Sequence, residues 1–593
     1  MASKRFRNIV VIQPTLALLD ETRKKLKKYK DVYKIIVRTS QEPSEEKGNL
    51  FLLTAERVME YKNLPQIDFF VIDEFYKLSA KRDDERSDVL NNAFYKLLQQ
   101  TPMPQFYLLG PNIDGISDGF AEKYNAIFYR TNYSLIENKV IDIYSDNKDK
   151  FDKPIKYKTF KENKLFELLL NLKDEQTIIY CSSPSRVREL ANKFTKFLDN
   201  KNIPQIEQLP LVDWIKQNIH EKWNLINFLN HGIGINDGAL QKHINSSMID
   251  YFNEGKLKYI FCTTTIIEGV NTSAKNIIFF DPFKGKRKLI DYFDYSNIKG
   301  RSGRMMIHYV GRIYNFNAPP KEEEMIVDIP FFHQNPIKDE VLNNLNDSDI
   351  KQEVKETDQY KELMVIPQEE RELFRMNGVS IKGQKKILEI LKNDVQTNQD
   401  LVTWNQYPSY EQLEYLITLC WEYFLSESES KKVKSLKQLI FLTFSYGYKK
   451  SISDIIKDSF IYNRKLKSNI DKTNEELLNK SVEEVFNIVR HWFQYKIPKW
   501  LNVMNELQKY VCKKSGITPG NYTHYANQIE NDFITDNLTI LSEFGVPVSA
   551  IKKIEGNIDE NLNEDQVINR VIELSKNNDS LLEYEKDKIN KLL

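Results

Sequence analysis

The run Phe69-Phe70-Val71-Ile72-Asp73-Glu74-Phe75-Tyr76 constrains this chain most, because an apolar stretch ends there in two adjacent carboxylates. Aromatic and β-branched residues in unbroken sequence read as a strand buried on both faces, the parallel strand of an α/β sheet. Acids at its carboxyl end stand where open α/β sheets place their ligands. One such carboxylate can hold Mg²⁺ through water, and its neighbour can orient an attacking water. Residues 8–15 and 50–57 are built alike: each is an apolar run that reaches a threonine and passes into helical spacing.

A length of 593 residues exceeds what one core can organise, and about three to four domains are expected. Lys+Arg 85 against Asp+Glu 84 leaves a formal charge of +1, so any basic surface must be local. Cys181, Cys262, Cys420 and Cys512 show no CxxC spacing, which argues against a zinc or iron–sulfur site and for a reducing cytoplasm. The seven histidines show no HxH or HExxH spacing. No apolar run approaches the roughly 18 residues of a membrane span, so a cytoplasmic protein without a membrane partner is expected.

Two later blocks join the first: Phe261-Cys262-Thr263-Thr264-Thr265-Ile266-Ile267-Glu268-Gly269-Val270-Asn271 and Asn297-Ile298-Lys299-Gly300-Arg301-Ser302-Gly303-Arg304. In this order the three resemble motifs II, V and VI of superfamily 2 helicases, in the superkiller-type DExH branch. That resemblance covers about residues 5–315. It implies two RecA-like lobes, ATP and Mg²⁺ as cofactors, and movement 3′ to 5′ along a nucleic acid strand. Asp73 would hold Mg²⁺ and Glu74 would orient water, with Arg301 and Arg304 as arginine fingers from the second lobe. Glu268, Gly269, Asn271 and Gly300 would face the nucleotide. Pro14 and Thr15 fall at motif Ia, Thr54 and Arg57 at motif Ib, Ser182 at motif IV, and Thr263 with Thr265 at motif V. These are the implied contacts to the strand backbone.

Local chemistry gives Thr54 a second reading, as a helix N-cap beside a solvated Arg57. The stretch 81–88 reads as a solvated helix start, and the basic run 284–288 as a loop. Three departures from the family stand out: Ala55 for a proline, Asn236-Asp237 for paired histidines, and Gly110-Pro111-Asn112 for Ser-Ala-Thr. The last removes the hydroxyls through which hydrolysis and strand movement would be coupled. The wording around Asp73 and Gly110 also resembles helicase subunits of Hachiman-type bacterial anti-phage systems. That implies a separately encoded nuclease subunit as partner, with DNA favoured over RNA.

No GxxxxGK[ST] occurs; the nearest fragments, at 285–287 and 383–385, have the wrong spacing. The expectation is a first lobe that lacks its N-terminal strand and phosphate loop, supplied by a segment upstream. A non-hydrolysing scaffold that binds nucleic acid or a partner is the alternative. The expected organisation is an α/β fold with a partial first lobe over 1–150 and a second lobe over 151–320. A linker and candidate winged-helix region over 321–400 and a helical accessory domain over 401–593 complete it. In that domain Ser409-x-x-Gln412 and Ser481-x-x-Glu484 read as capping boxes, with aromatic stripes that belong to the core.

Overall fold

The computed structural model describes residues 6–82, 86–130, 137–151, 158–264, 274–285, 288–301, 310–375, 377–425 and 433–592. Five strands form the first sheet: β1 (Asn8–Ile12), β2 (Tyr33–Ile36), β3 (Gly48–Leu53), β4 (Phe69–Asp73) and β5 (Phe106–Leu109). They are parallel, in the order β2-β3-β1-β4-β5. In register, Val10 lies beside Phe51 on one side and Phe70 on the other. Side chains alternate between the sheet's faces, and both faces are covered. Val10, Phe51, Phe70 and Ile72 pack into a core with Phe94 of the Ser87–Leu98 helix. Ile9, Leu50 and Leu52 pack against Leu541, Ile551 and Val571, from near the end of the chain.

After the short β6 (Gly115–Ile116) comes the second sheet, built from β7 (Glu137–Asp142), β8 (Thr177–Tyr180), β9 (Ile233–Asn236), β10 (Tyr259–Cys262) and β11 (Asn276–Phe279). A small hairpin of β12 (Phe283–Lys284) and β13 (Lys288–Leu289) follows, and β14 (Val310–Asn315) completes the sheet. It is also parallel, in the order β7-β14-β11-β8-β10-β9. β7 thus joins the second sheet although it precedes residue 151, where the second lobe was expected to begin. The chain then returns to the first lobe, where β15 (Ile326–Val327) pairs with β6 and Phe331 meets the edge of Phe94. The two parallel sheets with a helical C-terminal region bear out the expected α/β architecture of two RecA-like lobes.

Beyond residue 330 the described segments are helical. Ser409 forms the expected capping box with Gln412. Ser481 does not cap a helix. Thr473 and Glu476 make the box that starts the Asn474–Ile488 helix, and buried Ser481 donates to Leu477 O within it. Both are S/T-x-x-E patterns, and the earlier one wins because apolar packing extends the helix back to it. That helix runs through a π-helical segment, Val489–Lys496, into Ile497–Ser515. Trp492 is fully buried and stacks on Trp421, so this aromatic stripe is core. The last helices touch both lobes. His243 Nδ1 lies 2.9 Å from Tyr584 Oη, and Trp214 Nε1 donates to Ser549 Oγ at 2.8 Å.

Candidate nucleotide and nucleic acid site

Asp73 is the last residue of β4, and Glu74 follows in the left-handed region at φ 57°. A non-glycine residue there is held by its surroundings at a cost of about 1–3 kcal/mol. The turn Phe75–Leu78 supplies the hold, since Phe75, Tyr76 and Leu78 are all buried. The conformation aims the two carboxylates differently. Asp73 Oδ2 accepts from Gln13 Nε2 at the end of β1 at 3.3 Å, and Asp73 Oδ1 accepts from the Glu74 amide at 3.1 Å. Gln13 Oε1 is buried without a hydrogen-bond partner among the described residues. Asp73, Gln13, Lys77 and Arg86 line a cavity of about 20 Å³, room for one water.

Burial raises the Glu74 carboxyl above its usual range. Asp73 adds to the rise, while a bond from Tyr76 and the charges of Arg301 and Lys77 oppose it. Arg301 comes from the second lobe. Burial lowers its guanidinium, and Glu74, Tyr76, Glu21 and Asp73 oppose that shift. The first lobe's acids and the second lobe's arginine therefore act on one another across the cleft. Gly300 ends the helix that carries Arg301. Arg304, Thr265, Glu268, Gly269 and Asn271 lie outside the described residues.

The expected strand-contact residues sit at helix starts. Thr15 Oγ1 accepts from Leu18 N, and Thr54 Oγ1 from Arg57 N, so both threonines cap their helices. Pro14 O accepts from Arg86, which also forms a two-pronged pair with Glu56. Arg57 is not solvated: it donates to Val37 O at 2.7 Å and pairs with both carboxylate oxygens of Glu543. In the second lobe, Ser182 donates from its amide and its hydroxyl to Asp281. Thr263 is buried at the end of β10, and its amide donates to Asn236 O.

Residues that the sequence did not single out complete the site. Arg82, from the stretch read as solvated, pairs with Asp291 at 2.6 Å, and its guanidinium lies 4.5 Å from the Phe293 ring centre. Arg490 on the π-helical segment is exposed; the fold crowded around it lowers its guanidinium, and the charge of Arg86 adds to that. Burial pushes Lys242 down to about 8; Glu543 and Asp20 oppose this, and Arg57 and Arg490 reinforce it. Arg57 and Arg86 of the first lobe, each paired with a glutamate, Lys242 of the second and Arg490 of the helical region are thus near enough to influence one another's charge. Among the described residues no group of three or more His, Cys, Asp or Glu could hold a metal ion. Mg²⁺ at Asp73 would need its remaining oxygens from water and phosphate. No described helix is long and apolar enough to cross a membrane.

With two parallel-sheet lobes and an acid pair at the end of β4, the chain is similar to helicase-like proteins of the DExH class. No protein-family model matches it. Over 566 residues, 92% of this chain and 74% of the relative, it is 29% identical to anti-bacteriophage protein B of Escherichia coli K12. Over 110 residues, 18% of this chain and 9% of the relative, it is 31% identical to human Exosome RNA helicase MTR4. Over 151 residues, 24% of this chain and 15% of the relative, it is 24% identical to DExH-box ATP-dependent RNA helicase DExH9 of Arabidopsis thaliana.

Proposed function

We propose that this protein is an ATP-dependent nucleic acid translocase or helicase that acts in anti-phage defence. The observation that carries the reading is the acid pair that ends β4, with Asp73 bonded to Gln13 and Glu74 held in the left-handed turn, in a chain of two parallel-sheet lobes. Glu74, raised toward neutrality by burial, suits a group that orients and deprotonates water. Asp73 would hold Mg²⁺ through water, and the metal would neutralise charge between the β and γ phosphates. Arg301 would stabilise charge on the transferring phosphoryl group, with Arg304 as its companion. Glu268, Gly269, Asn271 and Gly300 would border the nucleotide.

The strand would run over the helix starts at Pro14-Thr15 and Thr54, past Ser182 and the Thr263–Thr265 segment. Cations converging at Arg86, Lys242 and Arg490 support a phosphate path there. The anti-phage role rests on the likeness to anti-bacteriophage protein B along 92% of the chain. DNA as the strand, 3′ to 5′ movement, a separately encoded nuclease partner and a cytoplasmic location belong to the same proposal.

The 593 residues contain no GxxxxGK[ST], so hydrolysis is best assayed on the product of the native locus. There, Glu74→Gln should retain ATP binding and lower strand-stimulated turnover by about 10²–10⁴-fold. Turnover within a few-fold of wild type would remove Glu74 from the water-orienting role. Retained strand binding in a native product that never hydrolyses ATP would favour the scaffold alternative.

A further inference from the structure

The helix Tyr292–Lys299 bears Arg301 just beyond its carboxyl end, so its rotation decides where that guanidinium stands. First-lobe groups touch it at two separated points. At its start, Asp291 divides its carboxylate: Oδ1 accepts from Asp294 N as the helix cap, and Oδ2 accepts from Arg82. Arg82 also lies over Phe293, and Tyr76 meets the same ring edge-on at 4.7 Å. One and a half turns on, Asn297 Oδ1 accepts from Asn112 Nδ2 at 2.8 Å. Asn112 occupies the turn where the family carries hydroxyls, and it holds the left-handed conformation at φ 51°, which asparagine tolerates. Tyr295, packed on Phe279 and bonded to Asn315, holds the helix on its own lobe; the two contacts, 6 residues apart along it, tie that helix to the first lobe at both ends.

We propose that Arg82 and Asn112 are positioning residues: gripping the Tyr292–Lys299 helix at Asp291 and at Asn297, they set the approach of Arg301 to Glu74. In this chain a carboxamide pair and an ion pair take over the coupling that Gly110-Pro111-Asn112 cannot provide through hydroxyls. The consequence for Arg301 rests on the hydrolysis reading above; the grip itself does not.

Two substitutions sever one point each with little other damage. Asp291→Asn keeps a good helix cap and loses the ionic partner of Arg82. Asn112→Gly keeps the left-handed turn and loses the carboxamide. All four native cysteines are buried, so dyes attached through Glu122→Cys in the first lobe and Asn200→Cys in the second report the lobe separation by energy transfer. Each severing variant should lower the closed-to-open ratio by about two- to tenfold, and the pair together should fall short of the product of the two effects. Unchanged transfer in both variants would overturn the grip, as would fully multiplicative effects.

This measurement needs no hydrolysis, so it stands or falls apart from the Glu74→Gln assay. A second readout tests the positioning. Glu74 is faced by Asp73, Tyr76, Lys77 and Arg301, and of these Arg301 is the one carried on the gripped helix. Displacing it should lower strand-stimulated kcat and leave the KM for ATP nearly unchanged in both variants, and Asn297→Asp, which still accepts from Asn112 Nδ2, should keep the wild-type kcat. A raised KM with kcat unchanged would overturn the positioning role.

Discussion

Where the two lobes face each other, the joining groups are polar or ring-shaped: Arg82 on Asp291, Asn112 on Asn297, Tyr76 on Phe293. Where residues 534–592 meet the first lobe, an aliphatic core lies beside the Arg57–Glu543 pair. Ile9, Leu50 and Leu52 close on Leu541, Ile551, Val567 and Val571, all buried. The difference has mechanical meaning. Polar pairs contribute about 0.5–1.5 kcal/mol net each, because water replaces them when they break. Buried aliphatic surface has no such substitute and contributes about 25 cal/mol per Å². The direct lobe-to-lobe contacts are therefore the weaker ones, while the outer junction fixes the C-terminal helices to the first lobe and Tyr584 and Ser549 bond the same region to His243 and Trp214 of the second. Arg57 belongs to the fixed side, since Glu543 of that region occupies both prongs of its guanidinium.

The largest test of this contrast lies in the cleft. Arg301→Ala should lower strand-stimulated ATP turnover in the native gene product by about 10³–10⁵-fold and leave the melting temperature nearly unchanged. A loss of strand binding with hydrolysis preserved would make this arginine a nucleic acid clamp. At the outer junction the signs reverse. Leu541→Ala removes a fully buried side chain and should cost about 2–5 kcal/mol of stability, seen as a lower urea midpoint. If its midpoint matched wild type, the junction would not be the fixed one.

The smallest effect concerns pH. Glu530 is exposed, yet the fold crowded around it pushes its carboxyl up to about 7; Glu60 and Glu543 add to the rise, and Arg57 and Arg38 oppose it. Folded Glu530 thus holds its proton where the unfolded chain has released it. Its contribution favours folding at low pH and is lost as pH rises from the ordinary carboxylate range to about 7. Because solvent screens an exposed carboxylate, Glu530→Gln should raise the melting temperature at pH 8 by no more than about 1 °C and leave it unchanged near pH 4. Equal shifts at both pH values would count against titration as the cause.

Much of the lobe architecture was legible because it follows from local pattern. The β4 run ends at Asp73 as its apolar residues dictate, and Thr15, Thr54 and Ser183 each cap the helix that follows a strand. Spacing alone could not choose between Thr473 and Ser481 as the cap of one long helix. It also could not show that β7 crosses into the second sheet, since a strand's partner depends on where the chain returns.

The sequence by itself determined the parallel strands, the acids at their ends and the arginine block, because strand burial and strand ends are written in residue order. Only the tertiary structure decided what the polar side chains do. Arg57 meets Glu543 across 486 positions, Arg82 meets Asp291 across 209, and Asn112 meets Asn297 across 185. A guanidinium or a carboxamide fits many partners equally well, so its bond is selected by which surfaces the packed core brings within about 3 Å, and no local periodicity carries that information.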